Sequence, residues 1–343
     1  MKSWLVYGVN DMRLEDIPIP EARPGWALTK VRSFQASITE VQRFWGTSQR
    51  GQDRMRQKIQ EEGPYPLGHE VCANVVAVDE SSGLRVGDRV AYCHAAPGMV
   101  AGDDYPGVFA EYVLLPIRSL FKVDPAIPDV ECPALQPLTS CVHDVEEAEV
   151  KLHETVVVFG QGVMGLNIGQ LCRRAGAEHV IGVDVRDQCL AISRDLGVDI
   201  TINASQQDPV AAIMEATGGR GADLAFDCAS GSPEVGLSGG KTVLQAVSAL
   251  AVGGRLMQIA FHHQPLLFDP NQLRAKRLRY IFPHEAGPEH MALTNRLVAS
   301  GKVRIPYITH VLQGIDKLPQ AIEITGHKAQ HGAINPAVVM VAG

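Results

Sequence analysis

Gly160-Gln161-Gly162-Val163-Met164-Gly165 sets three glycines at G-x-G-x-x-G spacing, directly after the apolar run 155–159 and ahead of a helix-compatible segment. In that setting Gly160 permits a tight turn, Gly162 lets backbone approach a pyrophosphate, and Gly165 lets helix and strand pack closely. The amides of Val163 and Met164, at the helix start, then face the anion. A second apolar run, 179–183, ends in Asp184, 19 residues beyond Gly165. A carboxylate there accepts hydrogen bonds from adenine-ribose hydroxyls and repels a 2′-phosphate, so NAD(H) is expected in preference to NADP(H). Arg186 tempers that preference, as plain surface charge or as a cofactor contact. The competing reading is a glycine-rich turn that binds nothing.

Such a loop needs a parallel sheet beneath it. After Glu154 the chain alternates apolar, β-branched runs with helical stretches (155–159, 167–175, 179–183, 188–196, 224–227, 242–251, 255–260), the pattern of strands covered on both faces. Before it, short runs at 4–7, 27–34, 71–78, 89–92 and 109–115 separated by Gly and Pro predict a compact β-rich domain. The Arg-, Gln-, Lys- and Glu-dense segment 49–62 reads as a solvated helix or surface loop, with a lid as the alternative. The tail predicts helices at 291–300 and 318–325, runs at 307–311 and 337–341, and packing onto the first domain or a sheet edge.

The chain has 343 residues, about twice the span of a common domain. With 31 Lys plus Arg against 38 Asp plus Glu, the net charge of −7 has the wrong sign for a general phosphate-backbone binder, so nucleic acid is not expected. No stretch approaches the roughly 18 continuous apolar residues of a membrane span. The first residues lack the apolar core of a secretory signal, and the seven cysteines are odd in number with no C-x-x-C pair. A cytoplasmic protein with reduced, buried thiols is expected.

The motifs taken together resemble the medium-chain dehydrogenase/reductase family, in its zinc-dependent alcohol and polyol dehydrogenase branch. Gly68-His69-Glu70 is similar to that family's GHE motif, Gly87-Asp88-Arg89-Val90 to its GDRV turn, and Phe109-Ala110-Glu111-Tyr112 to its FAEY strand. Leu297 to Lys302 and Ile308-Thr309-His310 are similar to its "ASGK…ITH" segment. The resemblance implies an α/β fold: a GroES-like β-barrel catalytic domain (1–136), a Rossmann doubly wound parallel sheet for NAD (137–283), and a return to the catalytic domain (284–343). It implies a cleft for a small-molecule substrate and nicotinamide, and a homodimer or homotetramer.

By the same resemblance, catalytic zinc is held by a Cys in C-x-[ST]-D, the His of GHE, and either a Glu or a Cys three residues later. Aligned on these, Ser37 stands at the Cys position, Thr39 at the hydroxyl position and Glu40 at the Asp position; Gln136 and Thr139 stand at the third ligand's alternatives. Thr139 is also taken as a cofactor contact. Only His69 remains of the three, whereas a tetrahedral zinc needs about three protein ligands. Cys141, two residues past Thr139, would point about 200° away on a helix, and Cys93-His94 could approach only by an unusual path. The four cysteines of the structural-zinc lobe are missing too. No zinc is expected; the alternative is an unusual site built on His69, Glu70 and Glu40.

What remains implies acid/base chemistry. His69 and Glu40 would form the acid/base pair, Thr39 would assist, Ser37 and Gln136 would hold the substrate oxygen, and Glu70 would support them. The competing reading leaves His69 a satisfied core histidine. His262 or His263, after the run 255–260, could donate a proton near the nicotinamide, and His143 could line the cleft or simply pack. Arg274, Lys276, Arg277 and Arg279 read as a solvated basic edge. The resulting expectation is a zinc-independent, NAD(H)-dependent oxidoreductase of a secondary alcohol, sugar, polyol or cyclitol-like. Alternatives are an epimerase or lyase with transient oxidation, a reductase of conjugated C=C or iminium bonds, and a nucleotide sensor without catalysis. Loops 46–63 and 97–106 would shape specificity.

Overall fold

The computed structural model describes residues 1–79, 82–93, 100–229, 240–262 and 265–341, with the side chains of 49 and 50 excepted. His94, His263 and residues 97–99 of the specificity loop lie outside the described residues. The chain divides into two units: Met1–Thr139 with Glu285–Gly343, and Ser140–His284.

The first unit opens with β1 (Lys2–Gly8) and β2 (Asp11–Asp16), an antiparallel pair, followed by β3 (Trp26–Gln35), α1 (Ile38–Trp45), α2 (Gln49–Glu62), β4 (Glu70–Ala77), β5 (Arg89–Tyr92), β6 (Tyr112–Pro116) and β7 (Leu120–Lys122). Helix α3 (Leu135–Glu147) contains the boundary between the units. The second unit carries β8 (Thr155–Phe159), α4 (Val163–Ala175), β9 (His179–Asp184), α5 (Asp187–Asp195), β10 (Ile200–Asn203), α6 (Pro209–Ala216), β11 (Ala222–Asp227), α7 (Lys241–Ala249), β12 (Leu250–Gln258), α8 (Pro270–Lys276) and β13 (Arg279–Ile281). The chain then returns to the first unit with α9 (Pro288–Ala299), β14 (Val311–Gln313), α10 (Leu318–Gly326), α11 (Lys328–His331) and β15 (Val338–Met340).

In the first unit the sheet order is β14-β15-β3-β4-β5-β7, with β6 also on β3. The tail therefore supplies strands to the sheet itself: β15 runs antiparallel to β3. A single apolar cluster, including Phe34, Val71, Val90, Tyr92, Phe109, Leu318 and Val339, fills this unit. The expected strand 109–115 begins only at Tyr112, because Phe109 is drawn into that core beside Phe34. Helix α2 matches the segment 49–62, but Gln52, Met55 and Lys58 on it are buried rather than solvated.

In the second unit six parallel strands run β10-β9-β8-β11-β12-β13. Every residue of β8 is buried, as a strand covered on both faces requires. The basic edge differs from its expectation at Lys276, whose Nζ donates to the carbonyls of Val247, Ser248 and Leu250 at 3.1, 2.6 and 2.7 Å. That cation satisfies the carbonyls at the end of α7. Among the described residues, no helix is long and apolar enough to cross a membrane.

Candidate functional site

In the second unit the glycine loop joins β8 to α4. Gly160 has φ +87°, and a Cβ there would meet the backbone of Cys228 and Ala229 at 3.0 Å. At Gly165 a Cβ would stand 1.8 Å from the Gly160 carbonyl oxygen, so helix and turn are in contact that only glycine allows. At Gly162 a Cβ would meet nothing within 4 Å, which leaves open space in front of the loop. Helix α4 starts there without a side-chain cap and without an acidic residue in its first turn. The amides of Val163 and Met164 thus open a helix whose positive end is unneutralised, a fit for a pyrophosphate.

Asp184 ends β9, and its carboxylate is fixed by two backbone amides: Gln161 N donates to Oδ2 at 2.6 Å and Arg186 N to Oδ1 at 2.9 Å. The Arg186 Nε stands 4.0 Å from Oδ1. Gln161 was not singled out in the sequence. It is fully buried, donates to the Val158 carbonyl at 2.8 Å, and accepts from Ser193 Oγ at 2.8 Å, bracing the loop from below. Gly182 makes room for it, since a Cβ there would stand 3.0 Å from the Gln161 amide carbon. The x of a G-x-G carries no such signal on its own.

In the first unit, Ser37 is the N-cap of α1 and Glu40 is its third residue, the S-x-x-E spacing of a capping box. Neither side chain caps. Ser37 Oγ instead donates to Glu40 Oε2, and Glu40 Oε1 lies 2.5 Å from His69 Nδ1. The ring is placed by Gly68, with φ +96°, where a Cβ would run into Phe109 at 2.4 Å. Burial opposes charge on both partners, but each one's opposite charge outweighs it. Glu40 is held down to about 2 and His69 is raised to about 9.

Glu70 opens β4 with Oε1 4.0 Å from His69 Nε2. Its Oε2 accepts from Gln35 Nε2 at 2.7 Å, and Gln35 Oε1 accepts from Asn335 Nδ2 at 2.7 Å. Burial, with the Glu40 charge behind it and the His69 charge against it, raises Glu70 to about 7. Gln35 and Asn335 were invisible beforehand. They meet Glu70 through strand pairing and through the returning tail, 300 residues apart in the chain.

Thr39 is exposed, and none of the described hydrogen bonds engages it or the buried amide of Gln136. Thr139, expected as a cofactor contact, sits on α3. It is fully buried and its hydroxyl donates to the Leu135 carbonyl at 2.7 Å, back-bonding within α3. His143, also on α3, lies 3.7 Å from Asp144 and 3.6 Å from Glu147. Cys141 is buried with Sγ 3.7 Å from Met164, away from any ligand role.

Residues 23–125 match the family described as "Alcohol dehydrogenase GroES-like domain" and residues 163–292 the one described as "Zinc-binding dehydrogenase". Erythritol/L-threitol dehydrogenase of Mycolicibacterium smegmatis is 30% identical over 248 residues, covering 65% of this chain and 68% of its own. Sorbitol dehydrogenase 1 of Saccharomyces cerevisiae is 30% identical over an alignment covering 94% of this chain and 93% of its own. Alcohol dehydrogenase TADH from Thermus sp. ATN1 superposes with a TM-score of 0.84 over the whole of both chains at 20% identity, a likeness of fold. The chain belongs to the zinc-type medium-chain dehydrogenases and is an oxidoreductase. The expected fold class, GroES-like domain plus Rossmann-like parallel sheet, is borne out.

The donor set tests the zinc that this family's name implies. By the resemblance, Ser37, His69 and Gln136 stand at the three ligand positions, and what they offer is a hydroxyl already donated to Glu40, one imidazole and a neutral amide. Among the described residues, no three His, Cys, Asp or Glu converge as a metal-binding group. These residues do not fit a tetrahedral zinc, which prefers thiolate, imidazole and carboxylate. The glycine loop and Asp184, in contrast, do fit a nicotinamide dinucleotide.

Proposed function

We propose a zinc-independent, NAD(H)-dependent oxidoreductase that interconverts a secondary alcohol, of the sugar, polyol or cyclitol kind, and its ketone. The observation that carries this reading is the buried His69–Glu40 pair, 2.5 Å apart, at the place where the resemblance expects a metal site. The bound nicotinamide supplies the hydride acceptor or donor. In oxidation, His69 Nε2 takes the substrate hydroxyl proton as hydride leaves the carbon; in reduction the imidazolium returns it to the carbonyl oxygen. Glu40 stabilises the imidazolium, and Ser37 holds Glu40 rather than the substrate. The Gln136 amide steadies the substrate oxygen, the exposed Thr39 hydroxyl relays the proton, and Glu70, held by Gln35 and Asn335, sets a carboxyl group 4.0 Å from Nε2.

Several features support the finer points. Erythritol and sorbitol dehydrogenases among the relatives favour a polyol. An Asp184 carboxylate locked by two amides favours the 2′-hydroxyl of NAD(H) over a 2′-phosphate. Seven free thiols favour the cytoplasm. The open edge strand β13 favours a homodimer or a tetramer of such dimers. Plasma mass spectrometry on purified protein, paired with NADH formation before and after chelation, tests the central point. Activity on a polyol with little bound zinc and no loss to chelator is expected. Stoichiometric zinc whose removal abolishes turnover would overturn the mechanism.

A further inference from the structure

His262 and Asp227 form a second buried pair that the proton chemistry above does not use. Asp227 is the last residue of β11 and fully buried; His262 follows β12 with its side chain 9% exposed. His262 Nε2 lies 2.9 Å from Asp227 Oδ2. Facing an acceptor carboxylate oxygen, Nε2 carries the hydrogen, and in the neutral ring Nδ1 is then the acceptor. Among the described residues, Nδ1 has no hydrogen-bond partner. A carboxylate buried to hold one tautomer of a surface-reaching imidazole is the arrangement that prepares the other nitrogen for a ligand.

The strand order says which ligand group it meets. Asp184 ends β9, the glycine loop ends β8, Asp227 ends β11, and β12 lies beyond. These ends are level: Phe159 pairs with Val183 and with Asp227, and Asp227 pairs with Gln258. The Cys228 amide donates to the Phe159 carbonyl at 2.8 Å, and Gly160 abuts Cys228 and Ala229, so the Asp227 turn adjoins the glycine loop. A dinucleotide with its adenine ribose at Asp184 and its pyrophosphate at Gly162 must continue across the ends of β11 and β12. Its nicotinamide riboside then arrives at His262.

We propose that His262, oriented by Asp227, is a cofactor-binding residue whose Nδ1 accepts a hydrogen bond from the nicotinamide-riboside half of the dinucleotide. The donor is a ribose hydroxyl or the carboxamide amine. Asp227 is a positioning residue that acts through the ring. The inference rests on the dinucleotide reading of the glycine loop, and binding of cofactor fragments separates the two.

Calorimetric titration of the full chain with NAD⁺, ADP-ribose and ADP tests it without turnover. His262→Gln keeps an amide donor for Asp227 and moves the acceptor off the Nδ1 position to its own carbonyl oxygen, so it guards the fold; His262→Ala, which removes the acceptor outright, and Asp227→Asn complete the set. Loss of about tenfold in NAD⁺ affinity with ADP affinity unchanged is expected for His262→Gln and His262→Ala. Asp227→Asn, still an acceptor, loses less. A loss shared by ADP-ribose puts the bond on the ribose, and a loss confined to NAD⁺ puts it on the carboxamide. Variants that bind all three like the wild type, or lose all three alike, would overturn the proposal. A wild-type chain that binds none of the three would overturn the dinucleotide reading and this inference with it.

Discussion

In the proposed mechanism, the charge on His69 governs the direction of proton flow. With Glu40 held down to about 2 and His69 raised to about 9, the pair is carboxylate and imidazolium at neutral pH. The proton needed to reduce a ketone is then in place, whereas alcohol oxidation requires the imidazole to lose it. Oxidation kcat/KM should therefore climb with pH toward about 9, and reduction should fall over the same range. Glu40→Gln removes the nearer anion that raises His69 and leaves burial, which lowers it, against the weaker pull of Glu70. Steady-state profiles of that variant should show the inflection moved to lower pH and oxidation slowed about 10²- to 10⁴-fold. An inflection that stays where it was would assign the titration to another group. Ser37 and Glu40 also show why roles were harder to read than positions. Their S-x-x-E spacing spells a helix cap, and the structure instead turns Glu40 onto His69 and Ser37 onto Glu40, a local rule broken at the proposed proton site.

The glycine loop separates two uses of one residue type, as the β8–loop–α4 element shows. Gly165→Ala drives a methyl into the Gly160 carbonyl and should cost roughly 1–3 kcal/mol of stability, seen as a lower Tm. Gly162→Ala adds a methyl to open space, so its Tm should change little while fluorescence titration shows weaker NADH binding. Equal NADH affinity in Gly162→Ala and wild type would remove the pyrophosphate from that space. This element was legible because apolar run, glycines, helix and Asp184 fall in one short span of sequence. Strands β2 and β10 were not. Asp11–Asp16 is a charged run held extended by pairing with β1, and Ile200–Asn203 is four residues held by β9. Lys276 looked like surface charge because the carbonyls it caps belong to another helix.

For the whole molecule, the question is what covers the outer edge of the six-stranded sheet. Among the described residues strand β13 pairs with β12 alone, and beside it Phe282 is 61% exposed while stacking on Tyr280 at 4.7 Å. An exposed edge with aromatic side chains is a template for another strand. Light scattering after gel filtration should show a dimer or its multiple, and Phe282→Asp should shift it to monomer with the melting of each chain little changed. A wild-type monomer would remove this edge as an interface. The two-unit architecture was readable from composition shifts along the chain. The hydrogen-bond partners of the proton site were not, because they come from strands and a tail that are distant in sequence.

The reach from Asn335 back to Gln35 sets an order of events for a chain made from its N-terminus. Strand β3 lacks its β15 neighbour, and Glu70 lacks the far end of its support, until residues 335–340 have been made. The chain of hydrogen bonds behind Glu70 is therefore completed late in synthesis. Termination or proteolysis ahead of Asn335 would take away that support while leaving Glu40, His69 and Glu70 in the chain.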